Sequence, residues 1–224
     1  MLTQVLEFIS NPQNSFAAQS LDYIRLCAVA VALAIGIALP LGLLVAQQPL
    51  LAFLASNISG LARAIPSLAF LAAALPYLGI GFKPAVIALT VLGIPPILLN
   101  TVAGFRGVDP NVIDAARGMG MTAWQILWRI RTPLILPVVA AGVRTAAVQI
   151  VATGTLAALI GAGGWGLYIL NGIYFFNTAE ILAGAVPVAL LALLVEVVLA
   201  VIQRFVTPRG VRSTYQVASG ASSR

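Results

Sequence analysis

The residue types and spacings that could do chemistry in this chain are concentrated in the interval 106–133, and the chemistry they suit is recognition rather than catalysis. Asp109 precedes Pro110, so its carboxylate can cap a helix whose first residue needs no N–H partner. Val112, Ala115, Ala116 and Met119 then share one apolar face at i, i+3, i+4 and i+7. Small alanines on that face let another surface approach closely. Gly118 and Gly120 end the helix, and Thr122 with Gln125 has the spacing of a capping box that starts a second one. That second helix sets Trp124 and Trp128 one turn apart, as aromatic anchors at a membrane interface, before Pro133 closes it. On periodicity alone the pattern suits an amphipathic linker resting on lipid headgroups equally well.

Catalytic constellations are not evident. The chain has no histidine and one cysteine, Cys27, which excludes the usual zinc sites, histidine-based triads and disulfide frameworks, and no metal site is expected. No Gly-x4-Gly-Lys-Ser/Thr phosphate loop appears, so the chain is not expected to be an enzyme or to bind a cofactor itself. The remaining candidates are polar residues inside apolar runs, which are costly in lipid and default to functional hypotheses. Arg63 would line a pathway, pair with Glu196, repel cations at a gate, or snorkel to an interface. Arg144 is expected to snorkel. Glu196 would pair with an arginine or face a partner copy. Asn100, Gln149, Thr153 and Thr155 either line a pathway or bond to backbone and neighbouring helices.

The elements that must position these residues are membrane helices. Of 224 residues, 61% are hydrophobic and 8% charged, and the mean hydropathy is +1.04. Soluble domains carry about 25% charged residues, so a soluble enzyme, a disordered chain and a nucleic-acid-binding domain are excluded despite a net charge of +6. A crossing takes about 20 apolar residues. The uncharged run 26–62 is too long for one straight span and must break between Pro40 and Gln47-Gln48-Pro49; the run 145–179 must break at Gly161-Ala162-Gly163-Gly164. The reading is an all-α polytopic protein with five spans, at about 25–46, 50–76, 84–105, 134–160 and 180–203. The second, with Arg63 and Pro66 near its middle, is alternatively a short re-entrant piece followed by a span at 64–80. A sixth span requires the N-terminal segment to enter the membrane. Pro95, Pro96 and Pro187 kink or break the third and fifth spans.

Lysine and arginine set the orientation. With the C-terminus inside, the cytoplasmic side holds Arg106, Arg117, Arg129, Arg131, Arg204, Arg209, Arg212 and Arg224, and the outside keeps Arg25 and Lys83. The expected layout is N-out, C-in: an outer N-terminal segment (1–20) with a short interfacial helix, a transmembrane domain (21–205) with its cytoplasmic loop (106–133), and a mobile cytoplasmic tail (206–224).

From Asp114 the chain reads Asp-Ala-Ala, three residues, Gly120, nine residues, Ile130, one residue, Thr132, Pro133. This resembles the EAA loop of ABC-importer permeases, Glu-Ala-Ala-x3-Gly-x9-Ile-x-Leu-Pro, with Asp114 in place of Glu and Thr132 in place of Leu. The resemblance implies a type I, methionine-permease-like ABC transmembrane domain in the plasma or inner membrane. It implies a coupling helix that docks in a groove of an ATPase subunit, a role that falls on Asp114, Ala115, Ala116 and Gly120, with Arg117 and Met119 beside them and Ile130 and Pro133 ending the motif. The partners implied are two copies of an ABC ATPase holding ATP-Mg, an extracytoplasmic substrate-binding protein, and a second permease copy or homologue; no nucleic acid is involved.

Ala141-Gly142-Val143-Arg144-Thr145, the stretch from Gly154 to Gly164, and Arg63-Ala64-Ile65-Pro66-Ser67 look like permeases importing glycine betaine, choline, carnitine and related osmoprotectants. Methionine-importer permeases share much of the glycine-rich region and are the alternative. Trp165, Tyr168, Tyr174, Phe175 and Phe176 suit an interfacial belt and docking surface better than a cage for a quaternary amine. From a different class, an ion-gradient-driven secondary transporter would want paired mid-membrane carboxylates and repeated halves, and a channel a charged or carbonyl-lined filter; none is evident.

Overall fold

Proline and glycine decide where the helices of this chain stop. The structure, a computed structural model, describes residues 2–207, and the expected tail lies almost wholly outside them. Helix α1 (Leu2–Ser10) is followed by a short 3-10 turn (Pro12–Asn14) and by α2 (Phe16–Ala46). Helix α2 passes through Pro40 and breaks only at Gln48, which the following proline holds in extended backbone (φ −112°, ψ 126°). Ile65, before Pro66, is extended for the same reason, and it separates α3 (Pro49–Ala64) from α4 (Ser67–Leu78). Helix α5 (Phe82–Arg106) is followed by α6 (Pro110–Gly118), the one-turn α7 (Ala123–Gln125) and a π-helical segment (Ile126–Arg131). Helix α8 (Thr132–Gly154) tightens into 3-10 turns over Thr155–Ile160, and α9 (Trp165–Tyr174) and α10 (Thr178–Val206) complete the order. No strand occurs among the described residues.

Four stretches are long and apolar enough to cross a membrane: Pro12–Ala46, Phe82–Arg106, Ala123–Ile160 and Thr178–Val206. The pair α3 and α4 supplies a fifth when counted as one, but it is bent by 95°. The second span expected at 50–76 is therefore not one continuous helix: it is a bent pair, a broken span or a re-entrant loop. Helix α4, at 12 residues, reaches only roughly 18 Å and could not cross the bilayer alone. The first span also differs, because its helix begins at Phe16 rather than near residue 25. Contacts with the glycine turn hold these extra turns. The Gln19 side chain accepts from Gly164 N–H, Trp165 Nε1 donates to Ser20 Oγ at 2.8 Å, and Tyr23 donates to the Val151 carbonyl.

One face of α2 carries Cys27, Ala30, Ala34, Ala38, Gly42 and Ala46, all buried. Lipid offers no hydrophobic drive between helices, so close approach of small residues supplies the packing. A Cβ on Gly42 would lie 2.8 Å from Thr101, and one on Gly93 would lie 3.1 Å from Ala34 Cβ. Helices α2, α5 and α8 thus form the centre of the bundle, with α10 against α8 and α9. Tyr23, which caps this stripe, is fully buried. Tyr23→Phe is expected to lower stability in detergent by about 1 kcal/mol, read as an earlier thermal unfolding transition; an unchanged transition would show that the bond to Val151 adds nothing.

Trp165 and Tyr168 correct the expectation of an outer aromatic belt. They are 6% and 4% exposed, and Tyr168 donates to the Asn14 carbonyl at 2.6 Å. Burial, and then the nearby Glu180 carboxylate, push that phenol's pKa up, so it stays a donor. Tyr168 also stacks on Phe16 and meets Phe8 edge-on, so α1 and the start of α2 are clamped by α9. Only Tyr174, Phe175 and Phe176 project outward, at 78%, 69% and 93% exposed.

Candidate functional site

Two places in the fold gather the polar and small residues singled out by sequence. The first is the loop between α5 and α8. Asp109 accepts from Asn111 N–H at 2.9 Å and caps α6. Gly120, with φ +79°, reverses the chain where a side chain would be strained. Thr122 and Gln125 form the reciprocal capping box expected of them. The second helix does not close at Pro133. Thr132 donates through both its N–H and its hydroxyl to the Leu127 carbonyl, the hydroxyl at 2.9 Å, and this five-residue step carries the π-helical segment straight into α8. Pro133, lacking an N–H, stands inside this continuous helical run, where the wider π-helical turn just before it shifts the ladder. Arg131 lies over the Phe105 ring at 4.4 Å, joining this segment to the end of α5.

The apolar face of α6 is split. Ile113 and Ala116, at 5% and 1% exposed, pack on Ile126, with Ile130 partly buried beside them. Val112 and Met119 are 42% and 74% exposed, and Ala115 is exposed with them. The expected shared face of Val112, Ala115, Ala116 and Met119 is therefore wrong at Ala116, which helps hold the loop together. Ile113 is the residue missed: from sequence alone it is as apolar as Val112, and only Ile126 decides between them. Asp114 and Arg117 pair at 3.4 Å with side chains 70% and 68% exposed, an arrangement worth little in water. Trp124 and Trp128 meet edge-to-face at 5.5 Å and stay exposed.

The second place is a cavity of about 400 Å³ at the break between α3 and α4. It is lined by Arg63, Ser67 and Phe70 from the broken pair, Leu92 and Pro95 from α5, and Gln149 and Thr153 from α8. Arg63, Gln149 and Thr153 are thus brought together; Asn100 and Thr155 are not. Asn100 donates to the Pro96 carbonyl at 2.8 Å where α5 crosses Gly142, and Thr155 donates to Ala152 at 2.9 Å. Arg63 does not meet Glu196 either. Glu196 pairs with Arg144 at 3.4 Å, which corrects the expectation that Arg144 only snorkels. Among the described residues no cluster of acidic or cysteine side chains could hold a metal.

Comparison with known proteins bears on both places. Residues 38–211 match the family described as binding-protein-dependent transport system inner membrane component. The carnitine transport permease protein OpuCB of Listeria monocytogenes is 39% identical over 93% of this chain and 95% of its own length. The glycine betaine/carnitine/choline transport system permease protein OpuCB of Bacillus subtilis is 35% identical over 97% and 100%. The osmoprotectant import permease protein OsmW of Salmonella typhimurium is 38% identical over 92% and 99%. Among solved structures, chains from two crystal forms of the inward-facing MetNI methionine ABC transporter superpose with TM-scores of 0.77 and 0.78. Each covers 89% of this chain and 100% of its own length at 24% identity, a likeness of fold.

Proposed function

Because the chain belongs to the binding-protein-dependent inner membrane components, the permeases of ABC importers, we propose that it carries a small osmoprotectant such as glycine betaine, carnitine or choline into the cell. The observation that carries the solute class is the near full-length similarity to permeases named for those solutes. The permease is the membrane component of such a system and not its ATPase, so ATP-Mg would be held by a separate subunit.

In this reading α6 is the coupling helix. Val112, Ala115 and Met119 form its outward apolar face, with Asp114 and Arg117 at the rim and Gly120 setting its angle. A short helix with a small-residue face suits insertion in a groove of the ATPase. Ala116, with Ile113, Ile126 and Ile130, would transmit the motion by keeping α6 rigid on the segment that runs into α8. Closure of two ATPase subunits would then swing α8 and the bundle between inward- and outward-facing states. Two permease copies, or this chain and a homologue, would face each other, and a binding protein would deliver the solute. Positive charge supports an inside position for the α6 end. Gln203 of α10 donates to the Pro137 carbonyl near the start of α8. Arg204 therefore lies at the same end as Arg106, Arg117, Arg129 and Arg131, with Arg25 and Lys83 opposite. The cavity holding Arg63, Gln149 and Thr153 is the proposed part of the solute path.

The test is to purify the tagged chain from its native membrane with whatever ATPase and binding protein accompany it, then titrate the binding protein with glycine betaine, carnitine, choline and methionine. An osmoprotectant bound tightly and methionine weakly is the expected result. The reverse order would replace this solute class with the methionine alternative. Recovery of no ATPase from a cross-linked membrane would count against the importer reading altogether.

A further inference from the structure

Several polar side chains on the bundle's helices have their hydrogen bonds satisfied within their own helix. Asn57 donates to Phe53, Asn100 to Pro96, Thr101 to Ile97 and Thr145 to Ala141, each to the carbonyl four residues back. The cavity at the α3–α4 break is different. Arg63, Ser67, Gln149 and Thr153 all line it, and none makes a side-chain hydrogen bond or ion pair among the described residues. These groups come from three helices and meet only because Pro66 turns the chain by 95°. No aspartate or glutamate is among the lining residues, so the one charge at the cavity is the Arg63 guanidinium. A cation with free hydroxyl and amide groups beside it is a receptor for an anionic group. A planar guanidinium matches a carboxylate with two parallel hydrogen bonds. Phe70 also lines the cavity, an aromatic side chain of the type that attracts a quaternary ammonium. About 400 Å³ lies within the range of small-molecule sites.

We propose that this cavity reads the carboxylate of a zwitterionic solute in transit through Arg63, assisted by Gln149 and Thr153, so that the permease itself favours carboxylate-bearing osmoprotectants over choline. The proposal rests on the osmoprotectant reading above, and it adds a selection step within the membrane to whatever the binding protein selects. A cation lacking a carboxylate meets only repulsion from Arg63 and has no lining acid to offset it.

The experiment uses the complete importer in proteoliposomes, with ATP inside and binding protein saturated in turn with glycine betaine, carnitine or choline. Wild type is compared with Arg63→Gln and Arg63→Lys, and ATPase activity stimulated by the loaded binding protein is followed in parallel. In Arg63→Gln, betaine and carnitine uptake should fall at least about tenfold, the loss of one charge-assisted pair, while choline uptake holds or rises. Arg63→Lys should recover part of the betaine uptake. Stimulated ATPase activity is read beside uptake, so that each solute's uptake is expressed per ATP hydrolysed. The changed betaine-to-choline ratio is the decisive reading, since the same binding protein serves every variant. An unchanged ratio, with all three solutes falling together or none falling, overturns the proposal while leaving the osmoprotectant reading in place. Wild-type import of none of the three overturns the osmoprotectant reading itself, and this proposal with it.

Discussion

Ala115→Arg should abolish import while leaving the permease folded. Ala115 lies on the exposed face of α6, between Val112 and Met119, and is not part of the small core that Ile113, Ala116 and Ile126 build. A guanidinium there would point away from the bundle and into the groove proposed to receive the helix. Charged bulk at the centre of such an interface costs what a hot-spot residue contributes, about 2–4 kcal/mol. Recovery of the ATPase with the permease should therefore fall roughly 30- to 1000-fold, and ATP-driven uptake with it. Thermal unfolding of the variant in detergent should match wild type. Ala116→Arg is the informative contrast: Ala116 is 1% exposed, and a charge forced against Ile113 and Ile126 has no partner there. Burying it costs about 3–5 kcal/mol, so that variant should lose folded protein first and binding only as a consequence. An Ala115→Arg permease that still recovers the ATPase at wild-type levels would remove α6 as the docking element.

The contrast between neighbouring alanines shows which parts of the chain were legible from sequence. Signals that act within a few residues came through intact: the Asp109 cap, the Thr122–Gln125 box, the break at Gln48-Pro49, and the glycine run at 161–164 whose Gly161, Gly163 and Gly164 all take positive φ. Each is a matter of local sterics or of a cap reaching its own helix. What sequence could not supply was set by residues far apart. Ile113 faces inward because of Ile126, Glu196 meets Arg144 rather than Arg63, and Trp165 and Tyr168 are buried because α1 and an extended α2 close over them. The cavity is the plainest case. Arg63, Gln149 and Thr153 were each individually ambiguous, and only the 95° turn at Pro66 brings the first to the other two. The direction of that turn is a tertiary property, although the proline that causes it is written in the chain.

Gly166→Ala should cost most of the stability of the end of the bundle opposite α6. A Cβ at Gly166 would lie 2.1 Å from the Thr155 carbonyl oxygen and 2.8 Å from its carbon, both backbone atoms of the 3-10 stretch that ends α8. No rotamer change relieves such a contact, so α9 must move away from that stretch. Helix α9 is also fixed on its other side. A Cβ on Gly184 would meet the Trp165 carbonyl at 2.6 Å, and one on Gly172 would meet Ile181 N at 2.6 Å. With close contacts on both faces, a shift of α9 pulls Trp165 from Ser20 and Tyr168 from Asn14, which together anchor the first turns of α2. Overpacking a well-filled site typically costs 1–3 kcal/mol and more where backbone is the obstacle, so a loss of about 3 kcal/mol or above is expected. Gly36→Ala provides the matched control, since a Cβ there has nothing within 4 Å and alanine favours the helix by about 1 kcal/mol. Thermal unfolding of both variants in detergent should separate them, Gly166→Ala melting well below wild type and Gly36→Ala at or above it. Equal melting of the two would mean that α9 does not pack on the end of α8 as closely as the structure places it.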